Sequence, residues 1–275
     1  MIKPFATACA FASLLFQAPL ARAGDKAAPQ DDATAPWSAS LSTGWDSLYM
    51  FRGVNQLPGY KGYGSSISWT ALSLTANLTP QDFLTINSWA AFGIGESDYK
   101  EVDGNFAYTH AIGDLSLTLG YSLFAVLDAP GGLYSHELSV AAAYELNFGP
   151  VKITPGVGYT FTLGPDAEHG GYIPANVGYL ELRVDGEAPV YRDVVSLAPW
   201  IATGFSFGYN TTEAGADETN PFTGADHIEC GAALNFSLSV SVTISPYVSY
   251  SHAWVQLAGT RANTVWGGVS VEISF

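Results

Sequence analysis

The chain has 275 residues, of which 48% are hydrophobic and only 13% charged, and its 25 Asp and Glu outweigh its 10 Lys and Arg to give a formal net charge of −15. That balance disfavours nucleic acid as a partner, because such binding is led by Lys and Arg contacts to phosphate. With cysteines only at Cys9 and Cys230, no cysteine-based zinc or redox motif is present.

The first residues differ from everything after them. Lys3 supplies a positive start, residues 5–16 form an apolar stretch too short to span a bilayer, and Ala21 and Ala23 flank Arg22 as the small residues a signal peptidase reads. Residues 1–23 are therefore expected to be a cleaved signal. A lipoprotein signal at Cys9 is the rival reading, but that cysteine lies inside the apolar stretch and not at its end. Cleavage would remove the positive charges of Lys3 and Arg22, taking the net charge from −15 to −17, and would leave Cys230 alone, without a disulfide partner. Residues 24–36, rich in Ala, Asp and Pro, read as a solvated periplasmic lead-in, and 37–275 as one β-barrel domain.

Beyond residue 23 there is no apolar run of 18 residues, so a transmembrane helix is excluded on length. What recurs is period-two alternation, the mark of strands with one apolar face and one polar face. Leu115, Leu117, Leu119, Tyr121 and Leu123 alternate with Ser116, Thr118, Gly120 and Ser122, and residues 151–163 and 228–238 repeat the pattern. The polar faces carry mostly Ser, Thr, Gly, Ala and Asn, where a soluble sandwich would show Lys, Glu and Arg to bulk water. A small hydrated lumen accounts for that composition, and outer-membrane lipid for the apolar face.

In chain order, strands are predicted at 37–49, 65–78, 83–95, 104–112, 115–126, 135–148, 151–163, 176–185, 193–208, 226–238, 240–254 and 263–275. These make an all-β fold, an antiparallel up-and-down transmembrane barrel of about twelve strands. Tight connections at 79–82, 113–114, 149–150 and 239, with a moderate one at 186–192, alternate with longer ones at 50–64, 96–103, 127–134, 164–175, 209–225 and 255–262. Short turns on one side and long loops on the other are the asymmetry of outer-membrane barrels, and an even strand count brings both termini to the periplasmic side. Pro155, Pro199 and Pro246 fall inside predicted strands, where a residue without an N–H is expected only at bulges or bends.

Aromatic residues mark the expected membrane interfaces. Trp37 and Tyr49 lie on one face of the first predicted strand, twelve residues apart. At ~3.3 Å per residue and ~40° tilt this spans roughly 30 Å, one hydrocarbon thickness. Tyr250 and Trp254 crowd the long-loop end of their strand. The chain ends with Val269, Val271, Ile273 and Phe275 on one face and Ser270, Glu272 and Ser274 on the other, an arrangement suited to the barrel-assembly machinery.

One segment carries a family resemblance. Ser47-Leu48-Tyr49-Met50-Phe51-Arg52-Gly53-Val54-Asn55-Gln56 resembles the first-strand motif of the TorF-type porins, Ser-Asp-Tyr-x-Phe-Arg-Gly followed by an apolar residue, with Leu48 in place of the usual Asp. The resemblance implies an outer-membrane barrel of channel type and names no solute.

Read from its own residues, the motif would place Trp45, Ser47, Tyr49 and Phe51 toward lipid and Asp46, Met50 and Arg52 toward the lumen. Arg52 is then the leading candidate for a solute-facing or constriction charge, the alternative being an ion pair with a lumenal carboxylate. Glu145, Lys152, Glu181, Arg183, Glu229 and Glu272 also fall on polar faces, and some of them are expected to pair, since an isolated charge in a narrow lumen is costly. An acidic outer mouth is expected from Glu96, Asp98, Glu101 and Asp103, from Asp166 and Glu168, and from Glu213, Asp217 and Glu218.

Catalytic and metal chemistry have weaker support. A barrel lipase needs a Ser with a His base and an orienting group. Ser135-His136 and Ser251-His252 are adjacent in sequence, which on a strand sends the two side chains to opposite faces. The histidines, His110, His136, His169, His227 and His252, are read as rim or interface residues. Asp166, Glu168 and His169, or Asp226, His227 and Glu229, could supply metal ligands but read as acidic loop residues, and no cofactor is implied. Twelve strands fall between eight, whose side chains fill the interior, and the 16 to 18 of open porins. The expectation is a narrow channel for small solutes, with a closed structural or surface-binding barrel as the alternative.

Overall fold

The computed structural model describes residues 36–57, 65–95, 98–127, 133–165, 177–192, 194–213, 219–255 and 263–275. The predicted signal with Ala21 and Ala23, and the mouth residues Glu96, Asp166, Glu168, Asp217 and Glu218, lie outside them, as does His169. The strands are β1 (Trp37–Asp46), β2 (Met50–Phe51), β3 (Val54–Asn55), β4 (Ser65–Asn77), β5 (Asp82–Gly95), β6 (Lys100–Ile112), β7 (Leu115–Val126), β8 (Leu133–Tyr144), β9 (Leu146–Phe148), β10 (Val151–Pro165), β11 (Gly178–Tyr191), β12 (Val195–Glu213), β13 (Thr219–Ser237), β14 (Val242–Ala253) and β15 (Asn263–Ser274).

All but β2 and β3 belong to one antiparallel sheet that closes on itself, since β15 pairs with β1 and β10 with β11. With β8 and β9 counted as one interrupted strand, this is a closed barrel of twelve strands. Among the described residues, closure gives every wall strand but the three-residue β9 a partner on both sides, so the long edges that a bilayer would penalise are paired. Alternation decides which face each residue takes. Leu72, Leu74, Ile86, Phe106, Leu119, Val140, Ile201 and Val248 stand exposed on the outside, while Asn87, Asn105, Ser122, Ser139, Thr160 and Ser249 are buried on the inside. Trp37, Tyr250 and Trp254 are exposed with the apolar set.

The last strand seals the barrel at its very end. The Phe275 N–H donates to the Ala39 carbonyl at 2.8 Å, and Val269, Ile273 and Phe275 face outward. Val271 pairs with Thr43 of β1 and Ile244 of β14, inside the seam.

The three prolines predicted inside strands have a common explanation. Each pairs fully with one neighbour and sits where the ladder to the other is interrupted. Pro155 pairs with Val184 of β11 and faces the break between β8 and β9 around Glu145. Pro199 pairs with Ala232 of β13, while bridges to β11 skip from Trp200 to Leu197. Pro246 pairs with Val269 of β15, while bridges to β13 skip from Tyr247 to Ile244. Register is unchanged across each gap, so the missing N–H removes a rung without shifting a face.

Several boundaries differ from expectation. The predicted loop 209–225 is largely strand, because β12 runs to Glu213 and β13 starts at Thr219. The moderate connection at 186–192 shrinks to a turn after Tyr191. The first strand stops at Asp46 and not at residue 49, and the chain beyond it leaves the wall.

Candidate functional site in the barrel lumen

After β1, the chain turns into the lumen and folds back as the small hairpin β2–β3, with Met50 opposite Asn55 and Phe51 opposite Val54. The Gln56 N–H donates to the Tyr49 carbonyl at 2.8 Å, extending the pairing by one step. Its two-residue turn is Arg52-Gly53, with φ of 46° and 79°. Positive φ at both turn positions is the mirror-image geometry that suits a tight hairpin, but it is strained for a side chain as large as Arg, at ~1–2 kcal/mol. Gly53 cannot be replaced without strain, because a Cβ there would stand 2.6 Å from His227 Nδ1.

This placement corrects the expected orientation of the motif. Strand parity puts Tyr49 and Phe51 toward lipid with Trp37 and Trp45, yet they are 7% and 1% exposed in the interior. The reason is that the strand ends three residues before Tyr49, so wall alternation no longer governs it. Polar partners across the lumen do. The Tyr49 hydroxyl donates to Glu101 Oε2 at 3.0 Å, and its ring packs against Trp89 and Tyr99 with centroids 5.5 and 5.6 Å away. Burial, followed by the Glu101 charge, pushes the Tyr49 phenol well above its ordinary range, so it remains a donor.

Arg52 crosses to the opposite wall. Its Nη1 and Nη2 donate to the two oxygens of Glu137 on β8, each at 3.0 Å, with both side chains almost fully buried. The guanidinium carbon lies 4.2 Å from the Tyr209 ring centroid, 4.6 Å from Phe51 and 4.9 Å from Tyr179. Tyr209 also donates its hydroxyl to Glu137 Oε1 at 2.8 Å. Burial opposes the charge on Arg52, but Glu137 outweighs it and holds the group above its ordinary value. Asn210 Nδ2 donates both to the Arg52 carbonyl at 2.9 Å and to Asp226 Oδ2 at 2.6 Å, tying the turn to β13.

Two irregularities in the wall present these partners. The β12–β13 register slips between Phe207 and Thr211, and within the slip Gly208 has φ of 81° while Tyr209 and Asn210 both turn inward. A second slip lets Gly204 pair with His227 and Phe205 with Ala225, so Asp226 is an extra residue and both Asp226 and His227 reach the interior. His227 Nδ1 lies 2.8 Å from Asp226 Oδ1. Gly204 makes room, since a Cβ there would overlap the Tyr179 hydroxyl.

The other lumenal positions predicted from the sequence mostly have partners of their own. Asp46 accepts from the Tyr247 hydroxyl at 2.7 Å, and Glu229 from Trp200 Nε1 at 2.9 Å and Ser249 Oγ at 3.1 Å. Glu272 accepts from Ser42 Oγ at 3.3 Å. Lys152 lies 3.8 Å from Glu145 near the short-turn end, and Arg183 pairs with Asp185 at 2.8 Å. Glu181 is buried, and its Oε1 has no hydrogen-bond partner among the described residues.

Glu101 and Asp103 need correction: the sequence assigns them to an outer loop, but β6 begins at Lys100 and both point into the lumen, 0% and 2% exposed. Asp98 is exposed at the rim, and Glu213 ends β12, its side chain being outside the described set. His227 is interior, against its reading as a rim residue, because of the Asp226 bulge. His136 and His252 face outward, bonded to Tyr121 and Asn263, while Ser135 and Ser251 are buried inside.

Sequence reasoning missed Glu137, Tyr179, Tyr209 and Asn210, and it read Asp226 as an acidic loop residue where the β13 bulge buries it in the lumen. Glu137 was accessible to it, as the carboxylate between Ser135 and Ser139 on a polar strand face. Tyr209 and Asn210 were not, because they reach the lumen through a register slip.

The hairpin, its aromatic surround and the acidic lumen sit inside a fold shared with known outer-membrane proteins. The chain is similar in structure to an outer-membrane channel from Pseudomonas putida F1, at TM-score 0.56 and 12% identity over 91% of this chain and 100% of that one. It is also similar to the translocator domain of the autotransporter NalP from Neisseria meningitidis, at TM-score 0.52 and 12% identity over 96% and 98% of the two chains. Neither a protein-family model nor a curated protein sequence matches the chain. The fold is that of an outer-membrane β-barrel.

Proposed function

We propose that this barrel is a narrow outer-membrane channel for small solutes, cation-preferring and constricted by the inward β2–β3 hairpin. The observation that carries the proposal is the charge pattern of the lumen. The three lumenal Lys and Arg among the described residues each stand beside a carboxylate, as Arg52–Glu137, Lys152–Glu145 and Arg183–Asp185. Asp46, Glu181, Glu229 and Glu272 add further carboxylates along the same interior. Fixed carboxylates along a low-dielectric passage attract cations and repel anions. The likeness of residues 47–56 to the TorF-type porins supports a channel, and in that motif Phe-Arg-Gly is the part that makes the hairpin turn.

Refolded protein in planar bilayers tests the proposal. Small single-channel steps are expected, with a reversal potential across a salt gradient on the cation side. No conductance from wild type or from a chain whose residues 49–56 are replaced by a short Gly-Ser linker would favour a closed structural barrel.

A further inference from the structure

The geometry points to a guanidinium-binding site in the lumen wall, built by Glu137, Tyr179 and Tyr209, which Arg52 fills from the hairpin and which a guanidinium-bearing solute fills when the hairpin withdraws. This deepens the channel proposal and rests on it for the route by which the solute arrives.

The site is complete without the hairpin. Glu137, Tyr179 and Tyr209 come from β8, β11 and β12, and the Tyr209 hydroxyl donates to Glu137 Oε1 at 2.8 Å, wall to wall. The Tyr179 and Tyr209 rings stand 5.6 Å apart, and the Arg52 guanidinium carbon lies 4.9 and 4.2 Å from their centroids. What the wall offers is a carboxylate placed for a two-pronged bond and aromatic surface for a flat cation. That combination fits guanidinium, whose planar fork meets both oxygens and whose weak hydration favours stacking, and fits a compact ammonium poorly.

The way Arg52 occupies the site marks it as a tethered stand-in. Both terminal nitrogens are bonded to Glu137 at 3.0 Å, whereas the chain-side Nε has no hydrogen-bond partner among the described residues, so the wall satisfies the fork alone. Arg52 reaches it from a backbone with φ of 46°, a conformation that disfavours a non-glycine residue and weakens its hold. A tether nevertheless confers an effective concentration in the millimolar range, so a free solute competes only when abundant or when the tether is removed.

Calorimetric titration of the full, refolded barrel in detergent with methylguanidinium chloride tests this without requiring conduction. Arg52→Ser empties the site and should bind methylguanidinium saturably, about tenfold or more tightly than wild type. Adding Glu137→Gln should abolish that binding, and neutral methylurea should show none. Arg52→Lys keeps a charge on the hairpin but loses the fork, so it should bind the probe with intermediate affinity, which provides a second reading if Arg52→Ser does not refold. Equal binding of methylammonium, binding indifferent to Glu137→Gln, or no saturable binding by either heat-modifiable Arg52 variant overturns the assignment. Conductance is measured separately: binding without conduction keeps the site and removes the channel, and conduction without binding does the reverse.

Discussion

Arg52 and Glu137, 85 residues apart in sequence, meet inside the barrel through two parallel hydrogen bonds of 3.0 Å, and this pair joins the inward hairpin to the far wall. Removing one partner of a buried pair strands the other charge at a cost of about 3–5 kcal/mol. Glu137→Gln should therefore release the hairpin more often than wild type, seen as more frequent or larger conductance steps. Identical conductance histograms for the two proteins would show that this pair does not control the constriction.

Gly53 bears on the same hairpin from its turn. Alanine there meets both a positive φ of 79° and His227 Nδ1 at 2.6 Å, so Gly53→Ala should destabilise hairpin docking by about 1–3 kcal/mol. Trypsin reports it, since Arg52 is 5% exposed when docked. Cleavage after Arg52 should be faster in the variant than in wild type. Equal cleavage rates would mean that the turn tolerates the methyl group.

Ion preference separates the lumen from the mouth. Glu181 and Glu229 lie within the passage, and neutralising both to Gln should lower cation selectivity at low and high salt alike, because buried charges are weakly screened. Neutralising Glu213, Asp217 and Glu218 together should matter only at low salt, as the Debye length falls from ~10 Å at 0.1 M to ~3 Å at 1 M. Reversal potentials at both salt concentrations read the two effects. Anion selectivity in the wild type would mean that Arg52, Lys152 and Arg183 dominate despite their partners.

The seam between β15 and β1 extends to Phe275. Phe275 donates its N–H to Ala39 and presents its ring outward. Deleting Phe275 should slow assembly and increase proteolysis in cells, with loss of heat-modifiable migration in gels. Normal migration and abundance in the deletion would show that closure and assembly do not need it.

The barrel was legible in the sequence because strand alternation is a local property. A residue such as Leu119 or Ser122 takes its face from its neighbours' parity, and once the strands close, apolar parity meets lipid and polar parity meets the lumen. Turn dipeptides such as Gly113-Asp114 and Gly149-Pro150 likewise announce themselves over a few residues. The proline problem was visible as well, but its solution needed the pairing: only the register shows that Pro155, Pro199 and Pro246 each interrupt one ladder and keep the other.

The lumen's contents depended on contacts that no local pattern carries. Tyr49 and Phe51 have the parity of lipid-facing residues if β1 continues, and Arg52-Gly53 has the composition of an ordinary turn. What takes them inward is the sum of distant partners, Glu101 for Tyr49, Glu137 and Tyr209 for Arg52, and Asn210 for the turn carbonyl, together with the slips that aim Tyr209, Asn210, Asp226 and His227 into the interior. Sequence alone thus determined the closed wall, whose rule repeats every two residues. Tertiary structure alone decided what occupies the passage, because burying a charged hairpin is favourable only where carboxylates and aromatic rings from separate strands converge to meet it.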